Sequence, residues 1–293
     1  MIFQYDYPLF RPPAEANNII LQVTLGCSHN QCSFCSMYKD KQYKVKKLSQ
    51  IFEEIDVLAN MYPDTIKIFL ADGDALGIET KQLLKILSYL KASFKKLRRV
   101  STYATAQNII NKSSEELTQL SKSKLNLIYF GIETGDNTLL LKINKGVNKE
   151  QLIESLNKAS NSNIKISATI ILGLGGIQNS TNHIINTADI INNTSINYLS
   201  TLQLGLEENE SKKFYKKFEV FTHLTDLEIL EEQKQLLKLL NPGSKIIFRS
   251  NHASNALHLS GNIPKDLNRL IYEIEFCLKE GESSLVPTQF RGF

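Results

Sequence analysis

Apolar residues follow two alternating rhythms along this chain. Short runs rich in β-branched and aromatic residues occur at 18–25 (NIILQVTL), 65–71 (TIKIFLA), 99–105 (RVSTYAT) and 126–132 (NLIYFGI). Further runs follow at 165–173 (KISATIILG), 197–205 (NYLSTLQLG) and 244–250 (SKIIFRS). Each is short, apolar and bounded by turn formers, which predicts strands buried on both faces. Between them, 48–62 and 80–97 place apolar residues at i, i+3, i+4 and i+7, the period of an amphipathic helix. The same period predicts helices over 149–160, 181–192, 224–240 and 265–280. Strands alternating with helices, with no linker rich in Pro, Gly or Ser, predict an α/β protein with a parallel sheet covered by helices. Six or seven such units predict a partial or complete (β/α) TIM-like barrel, whose chemistry sits just beyond the C-terminal ends of the strands.

That expectation can be checked against the positions of reactive residues. Cys27 comes two residues after the first strand run, and Asp72-Gly73-Asp74 follows the second. Gln107-Asn108 follows the third, Glu133-Thr134-Gly135-Asp136 the fourth and Gly173-Leu174-Gly175-Gly176 the fifth. Asn251-His252-Ala253-Ser254-Asn255 follows the last. The chain divides on this pattern into an N-terminal arm (1–17, with Arg11 and the paired Pro12 and Pro13), a barrel core (18–205) and a C-terminal extension (206–293) that completes or flanks the barrel.

Composition narrows the class. The 293 residues are 42% hydrophobic and 22% charged, the balance of a soluble globular protein. No apolar stretch is long enough to span a bilayer, and the N-terminus lacks a secretory pattern, so a cytoplasmic location is expected. Thiols stay reduced there, which disfavours disulfides. The net charge of +4 is modest, but Lys39, Lys41, Lys44, Lys46 and Lys47 cluster directly after the cysteines. They read either as a solvated loop or as a docking patch for an acidic protein or a nucleic-acid backbone.

Three of the four cysteines, Cys27, Cys32 and Cys35, lie within nine positions with the spacing C-x4-C-x2-C. Structural zinc would want a second ligand pair, which is lacking, and His29 lies inside the same loop. A plant-type [2Fe–2S] site shares the spacing but needs a fourth cysteine, and Cys277 falls on the apolar face of a helical run, where a lone cysteine is core. A [4Fe–4S] cluster held by three thiolates leaves one iron open to substrate or cofactor, and the strand-end position favours it. A non-enzymatic zinc or iron–sulfur protein is the alternative from another class.

These segments together resemble the radical S-adenosylmethionine (radical SAM) superfamily over about residues 18–205. The family carries a three-cysteine cluster loop after the first strand of a partial or full (β/α) barrel. The resemblance implies that Cys27, Cys32 and Cys35 hold a [4Fe–4S] cluster and that Phe34 lies near the adenine of SAM. It implies that Asp72, Gly73 and Asp74 stand where the family's GGE-type segment binds the methionyl amino group. Glu133 and Thr134, in GIETG, would face the ribose and methionyl groups, and the Gln107-Asn108 pair would touch SAM. In TIILGLGG, Ile171, Gly173 and Gly176 match the adenine-side pattern, with Thr169 in place of its first glycine. Two departures stand out: one extra residue between Cys27 and Cys32, and Asp72 where the family has glycine.

The implied activity is reductive cleavage of SAM to a 5′-deoxyadenosyl radical that takes hydrogen from a substrate. Only four cysteines are present, so a second all-cysteine cluster is excluded, which argues against sulfur insertion. A small-molecule substrate is expected first, tRNA or a peptide second, with ferredoxin or flavodoxin as reductant. Arg249, Asn251, His252, Ser254, Asn255 and His258 form a polar segment in which His252 is the candidate for substrate binding or proton transfer. The competing reading is a polar loop with a helix N-cap at Ser254 or Asn255. His183 and His223 read as surface residues.

Overall fold

A computed structural model describes residues 5–292, with Asn209 by its backbone alone; the first four residues of the expected arm lie outside the described residues. In chain order the elements are β1 (Ile19–Gln22), β2 (Thr24–Leu25), β3 (Lys44–Val45), α1 (Leu48–Met61), β4 (Lys67–Ala71) and α2 (Thr80–Ser93). β5 (Arg99–Ala104), α3 (Ala106–Asn111), α4 (Ser114–Lys122), β6 (Leu125–Glu133), α5 (Asn137–Lys142), α6 (Lys149–Asn161) and β7 (Lys165–Leu172) follow. The last are α7 (Gly176–Asn192), β8 (Tyr198–Gln203), α8 (Glu208–Tyr215), α9 (Asp226–Leu239), β9 (Ile246–Ser250), β10 (Leu259–Ile263) and α10 (Leu267–Glu280).

Eight strands form one mostly parallel sheet in the order β1-β4-β5-β6-β7-β8-β9-β10. The order follows the chain without the reversal that defines a doubly wound sheet, as expected for a (β/α) barrel wall. Every strand expected from the sequence is present. The departure is at the end: β10 pairs antiparallel to β9, so the run at 246–250 is not the last strand. The segment 251–258 is therefore a hairpin connection and carries no helix N-cap. Its low apolar content hid the edge strand, which has only one neighbour in the sheet.

Contacts divide the chain into two compact units. The first comprises the described chain up to Asn30, Cys35–Phe130 and Lys158–Ile166. Here β1, β4, β5 and β6 are parallel neighbours, and Ile68, Phe69, Leu70 and Ala71 are all fully buried. Helix α1 turns Ile51, Ile55 and Leu58 inward, and α2 turns Leu83, Ile86, Leu87 and Leu90. Ser113 and Glu116 close a reciprocal capping box on α4, which stops one helix and starts the next. The N-terminal arm is anchored: Tyr5 donates to the Ile20 carbonyl, and Gln22 exchanges two hydrogen bonds with the Asp6 backbone. Glu15 on this arm is fully buried and accepts from Arg99 (2.7 Å), Ser101 (2.9 Å) and Tyr129 (2.6 Å). A buried carboxylate is tolerated only with such partners.

The second unit comprises Gln31–Phe34, Gly131–Asn157 and the described chain from Ser167 on. In it β7, β8 and β9 are parallel and β10 closes the edge. Its core includes Leu139, Ile143, Ile171, Leu174, Phe214 and Phe218, with Phe34, Leu204, Leu206 and Phe221 packed against them. Thr225 and Glu228 form a second capping box, on α9. Cys277 is buried on α10 with Leu270 and Ile274, the core position expected of it.

Candidate active site

In the first unit the cluster loop leaves the sheet at Gly26, whose φ of +69° gives the left-handed turn that glycine adopts without cost. The segment after β4 folds over it. Gly73 N–H donates to the Gly26 carbonyl (3.1 Å), and Gly26 N–H donates to Asp72 Oδ2 (3.1 Å). Asp72 also accepts from Gln22 Nε2 (3.0 Å) and Lys41 Nζ (3.1 Å) and is fully buried. Its carboxylate is thus spent on holding the loop.

Asp74 is different. Its Oδ2 accepts from Ser28, on the cluster loop, and from Asn108. Its Oδ1 is buried and has no hydrogen-bond partner among the described residues. Burial pushes its pKa up to about 6, against the pull of the Ser28 and Asn108 bonds. An orphaned oxygen on a buried carboxylate demands a cationic or donating ligand, because an unpaired acceptor is costly to desolvate.

Cys27, Cys32 and Cys35 are half-buried thiols on one loop. Cys27 packs against the Asp72–Asp74 segment: a Cβ added to Gly73 would lie 3.2 Å from Cys27 Cβ and 2.5 Å from the Tyr38 ring. Tyr38 is buried edge-on to Phe10, and its hydroxyl also lacks a partner. By residue type, three thiols on one loop are the soft donors of an iron–sulfur cluster, and Cys27 packs against the segment that carries the unsatisfied Asp74. Gly73→Ala is expected to destabilise the protein by about 1–3 kcal/mol through overpacking and to lower iron uptake on reconstitution. Thermal melting and iron analysis check this, with Gly243→Ala, whose added Cβ meets nothing within 4 Å, as the neutral control.

Asn30, in the four-residue stretch between Cys27 and Cys32, braces the loop. Asn30 adopts φ +40°, and its amide donates to the carbonyls of Tyr38 (2.7 Å) and Lys41 (3.3 Å). Asn30 thereby ties the loop's start to its return. The lysine cluster is largely consumed the same way. Lys39 donates to the Asn30 carbonyl, Lys41 pairs with Asp6 and Asp72, and Lys46 pairs with Glu54. Only Lys44 and Lys47 of the five are exposed, which corrects the picture of a five-lysine docking patch. Gln107 is also exposed and donates to Asn111 (2.8 Å) along α3; its neighbour Asn108 is the one that reaches Asp74.

In the second unit Phe34 packs on the cluster that contains Ile171, so these two candidates are brought together. Lys145 stands 5.9 Å from the Phe34 ring centre and pairs with Glu133 at 2.8 Å. Glu133 has φ +61°, an uncommon conformation for glutamate that turns the chain sharply at the end of β6. Thr134 is fully buried, its hydroxyl bonded to His183 Nδ1 (2.7 Å) and the Asp136 N–H (3.1 Å). Gly173 (φ +77°) donates to Glu232 at 2.6 Å, and Gly176 (φ +58°) opens α7 under the Thr222 carbonyl.

His183 is fully buried, which corrects the surface expectation. Helix α7 begins at Gly176, five residues before the expected start, so His183 falls on its inward face with Ile184, Thr187, Ala188 and Ile191. His223 is exposed, as expected. In the hairpin connection, Asn255 is buried and clamps Thr201 O (2.8 Å), Ser250 Oγ (2.9 Å) and the Gln203 N–H (2.8 Å). His252 is half-buried, and its Nδ1 accepts from the Ser254 N–H (3.2 Å); burial lowers its pKa. Arg249, Asn251 and His258 are exposed. Ser28, Lys145 and Glu232 were not among the candidates, and His183 was read as a surface residue. Asn108 was named only with Gln107, by its position after the third strand run.

The family model of the radical SAM superfamily matches residues 21–188, more than half of the chain. The chain belongs to this superfamily of enzymes, whose cofactors are a [4Fe–4S] cluster and SAM. Among characterised proteins it is similar to the heme chaperone HemW of Bacillus subtilis, at 27% identity over 168 residues, 55% of this chain and 44% of that protein. It is also similar to tRNA-2-methylthio-N(6)-dimethylallyladenosine synthase of Petrotoga mobilis, at 22% identity over 58% of this chain and 39% of that one. The matches thus span less than half the length of either relative. Among solved structures the fold is like that of coproporphyrinogen III oxidase (HemN) from Escherichia coli, a radical SAM enzyme (TM-score 0.55, 13% identity, 75% of this chain and 52% of that one). It is likewise similar to methylornithine synthase, PylB (TM-score 0.53, 14% identity, 92% of this chain and 85% of that one). Among the described residues, no helix is long and apolar enough to cross a membrane.

Proposed function

We propose that Cys27, Cys32 and Cys35 hold the [4Fe–4S] cluster, that Asp74 receives the methionyl ammonium of SAM, and that a small molecule is the substrate. When bound, cluster and SAM supply a 5′-deoxyadenosyl radical that abstracts hydrogen from that substrate. The observation that carries this reading is Asp74: a buried carboxylate with one oxygen anchored by the cluster loop's own Ser28 and the other unsatisfied. Asp72 and Gly73 set the path that places it. Following the family's motifs, Glu133 takes the ribose and Phe34, Ile171, Gly173 and Gly176 the adenine side. Thr134, its hydroxyl already shared, acts through its neighbours, and Gln107 has the weakest support. His252 is retained as the candidate for the substrate end, because its Nδ1 is occupied and its Nε2 carries the proton.

Residues 18–205 are taken as the catalytic core and 206–293 as its extension. Thiolate ligation and a reductive reaction need a reducing compartment, which supports a cytoplasmic location. Ferredoxin or flavodoxin fits as reductant, with exposed Lys44 and Lys47 as the remaining contacts on that side of the loop. Modification of tRNA or a peptide is the second reading, supported by the likeness to a tRNA-modifying relative. Sulfur insertion is disfavoured within these 293 residues, because Cys277 is the single further cysteine and is buried in α10.

Anaerobic reconstitution tests the proposal. Iron and sulfide are expected at about four each per chain, and dithionite with SAM is expected to release 5′-deoxyadenosine. Stoichiometric zinc without nucleoside release would overturn it.

A further inference from the structure

We propose that His183 is a positioning residue that fixes the ends of β6 and β7 against each other, with Glu232 as its second anchor. This rests on the reading that those two strand ends carry the nucleoside half of SAM. A backbone carbonyl can only accept, so His183 Nε2, 3.1 Å from the Ile171 carbonyl, carries the ring proton. Nδ1 is then the acceptor for the Thr134 hydroxyl at 2.7 Å. The imidazole therefore bridges the two strand ends in one tautomer, and full burial keeps it neutral.

One turn further along α7, the Thr187 hydroxyl donates to the His183 carbonyl (2.6 Å) and accepts from the Gly135 N–H (2.9 Å). Helix and strand end are in contact there: a Cβ on Gly135 would lie 2.2 Å from the Asn186 carbonyl oxygen. Glu232 completes the frame from α9. Its Oε1 accepts from the Gly173 N–H (2.6 Å) and lies 3.9 Å from His183 Nε2, and its Oε2 accepts from Ser180. The end of β7 is thus held by its Ile171 carbonyl and its Gly173 amide at once. Glu133, in the left-handed region, directly precedes the clamped Thr134, and Gly173, also left-handed, is itself held through its N–H. Fully satisfied buried networks fix one geometry in this way.

The alternative is a core histidine that only stabilises the fold. Binding of S-adenosylhomocysteine to the reconstituted protein, measured well below the melting temperature, separates the two. His183→Ala is expected to weaken that binding about tenfold or more, the scale seen when a residue that orients a ligand is lost. Iron content, and the change in cluster EPR signal produced by methionine alone, are expected to match the wild type. His183→Asn, whose Oδ1 can still accept from Thr134, is expected to fold and to recover most of the affinity. Unchanged affinity in His183→Ala, or equal losses in the Ala and Asn variants, would overturn the positioning role alone. If His183→Ala does not fold, His183→Asn compared with Glu232→Ala gives the same decision from loss of affinity with iron retained. A wild-type protein that does not bind S-adenosylhomocysteine would overturn the functional reading and this proposal together.

Discussion

Cys32→Ala is expected to strip the reconstituted protein of its cluster, taking iron from about four per chain to near none and 5′-deoxyadenosine release to background. The size of the effect follows from the ligand count. If Cys27, Cys32 and Cys35 are the three ligands, as proposed, each is indispensable, and losing one leaves two soft ligands for four irons. The matched control is Cys277→Ala. That thiol lies on the inward face of α10 with Leu270 and Ile274, so iron and sulfide are expected at wild-type levels. Loss of cluster in Cys277→Ala, or its retention in Cys32→Ala, would show the ligand set to be wrong. Iron and sulfide analysis with chromatography of the nucleoside products reads both.

The second large effect is expected at Asp74, where stability and function move in opposite directions. Its pKa is raised from 3.8 to about 6, mainly by burial. A carboxyl whose folded pKa exceeds its unfolded value favours the fold while protonated. That contribution is complete below about pH 4, fades as pH rises to about 6, and leaves an ionisation cost of about 3 kcal/mol above it. Asp74→Asn is neutral throughout, and its amide oxygen can keep the bonds from Ser28 and Asn108. The variant is therefore expected to match the wild type in melting temperature at pH 4 and to exceed it at pH 8. SAM affinity moves the other way. Losing the charge opposite a buried ammonium costs about 2–5 kcal/mol, roughly thirtyfold or more in binding. In the wild type that affinity is expected to fall about tenfold per pH unit below pH 6, while the variant stays flat. A variant that binds SAM normally would remove Asp74 from the site.

The sheet was legible in the chain because its strands are buried on both faces and so read as unbroken apolar runs, as β4 does. β10 was not, since Leu259–Ile263 alternates Leu, Ser, Gly, Asn and Ile as an edge strand does. The cluster loop stood out through its three closely spaced cysteines, whereas the Asp72–Asp74 segment stood out only through its place after a strand run. Which aspartate does what was not. Asp72 and Asp74 differ by two positions in sequence, and only the contacts of Gln22, Gly26 and Lys41 show the first to be structural. His183 was hidden for a related reason. A polar residue on an inward helix face looks like a surface residue until its partners, Thr134 and Glu232, arrive from 49 positions before and 49 after it. Single-chain periodicity shows faces; it does not show which distant group meets them.

Glu15 sets an order of events for the growing chain. Its partners Arg99, Ser101 and Tyr129 lie 84, 86 and 114 positions downstream. The arm thus precedes all three partners in the chain and is among the last parts of the first unit to find its place. Each βα step between them can close over short loops, whereas the arm must wait until β6 has emerged. Until then Glu15 has none of these partners, and its carboxylate stays in water rather than in the buried socket it later fills.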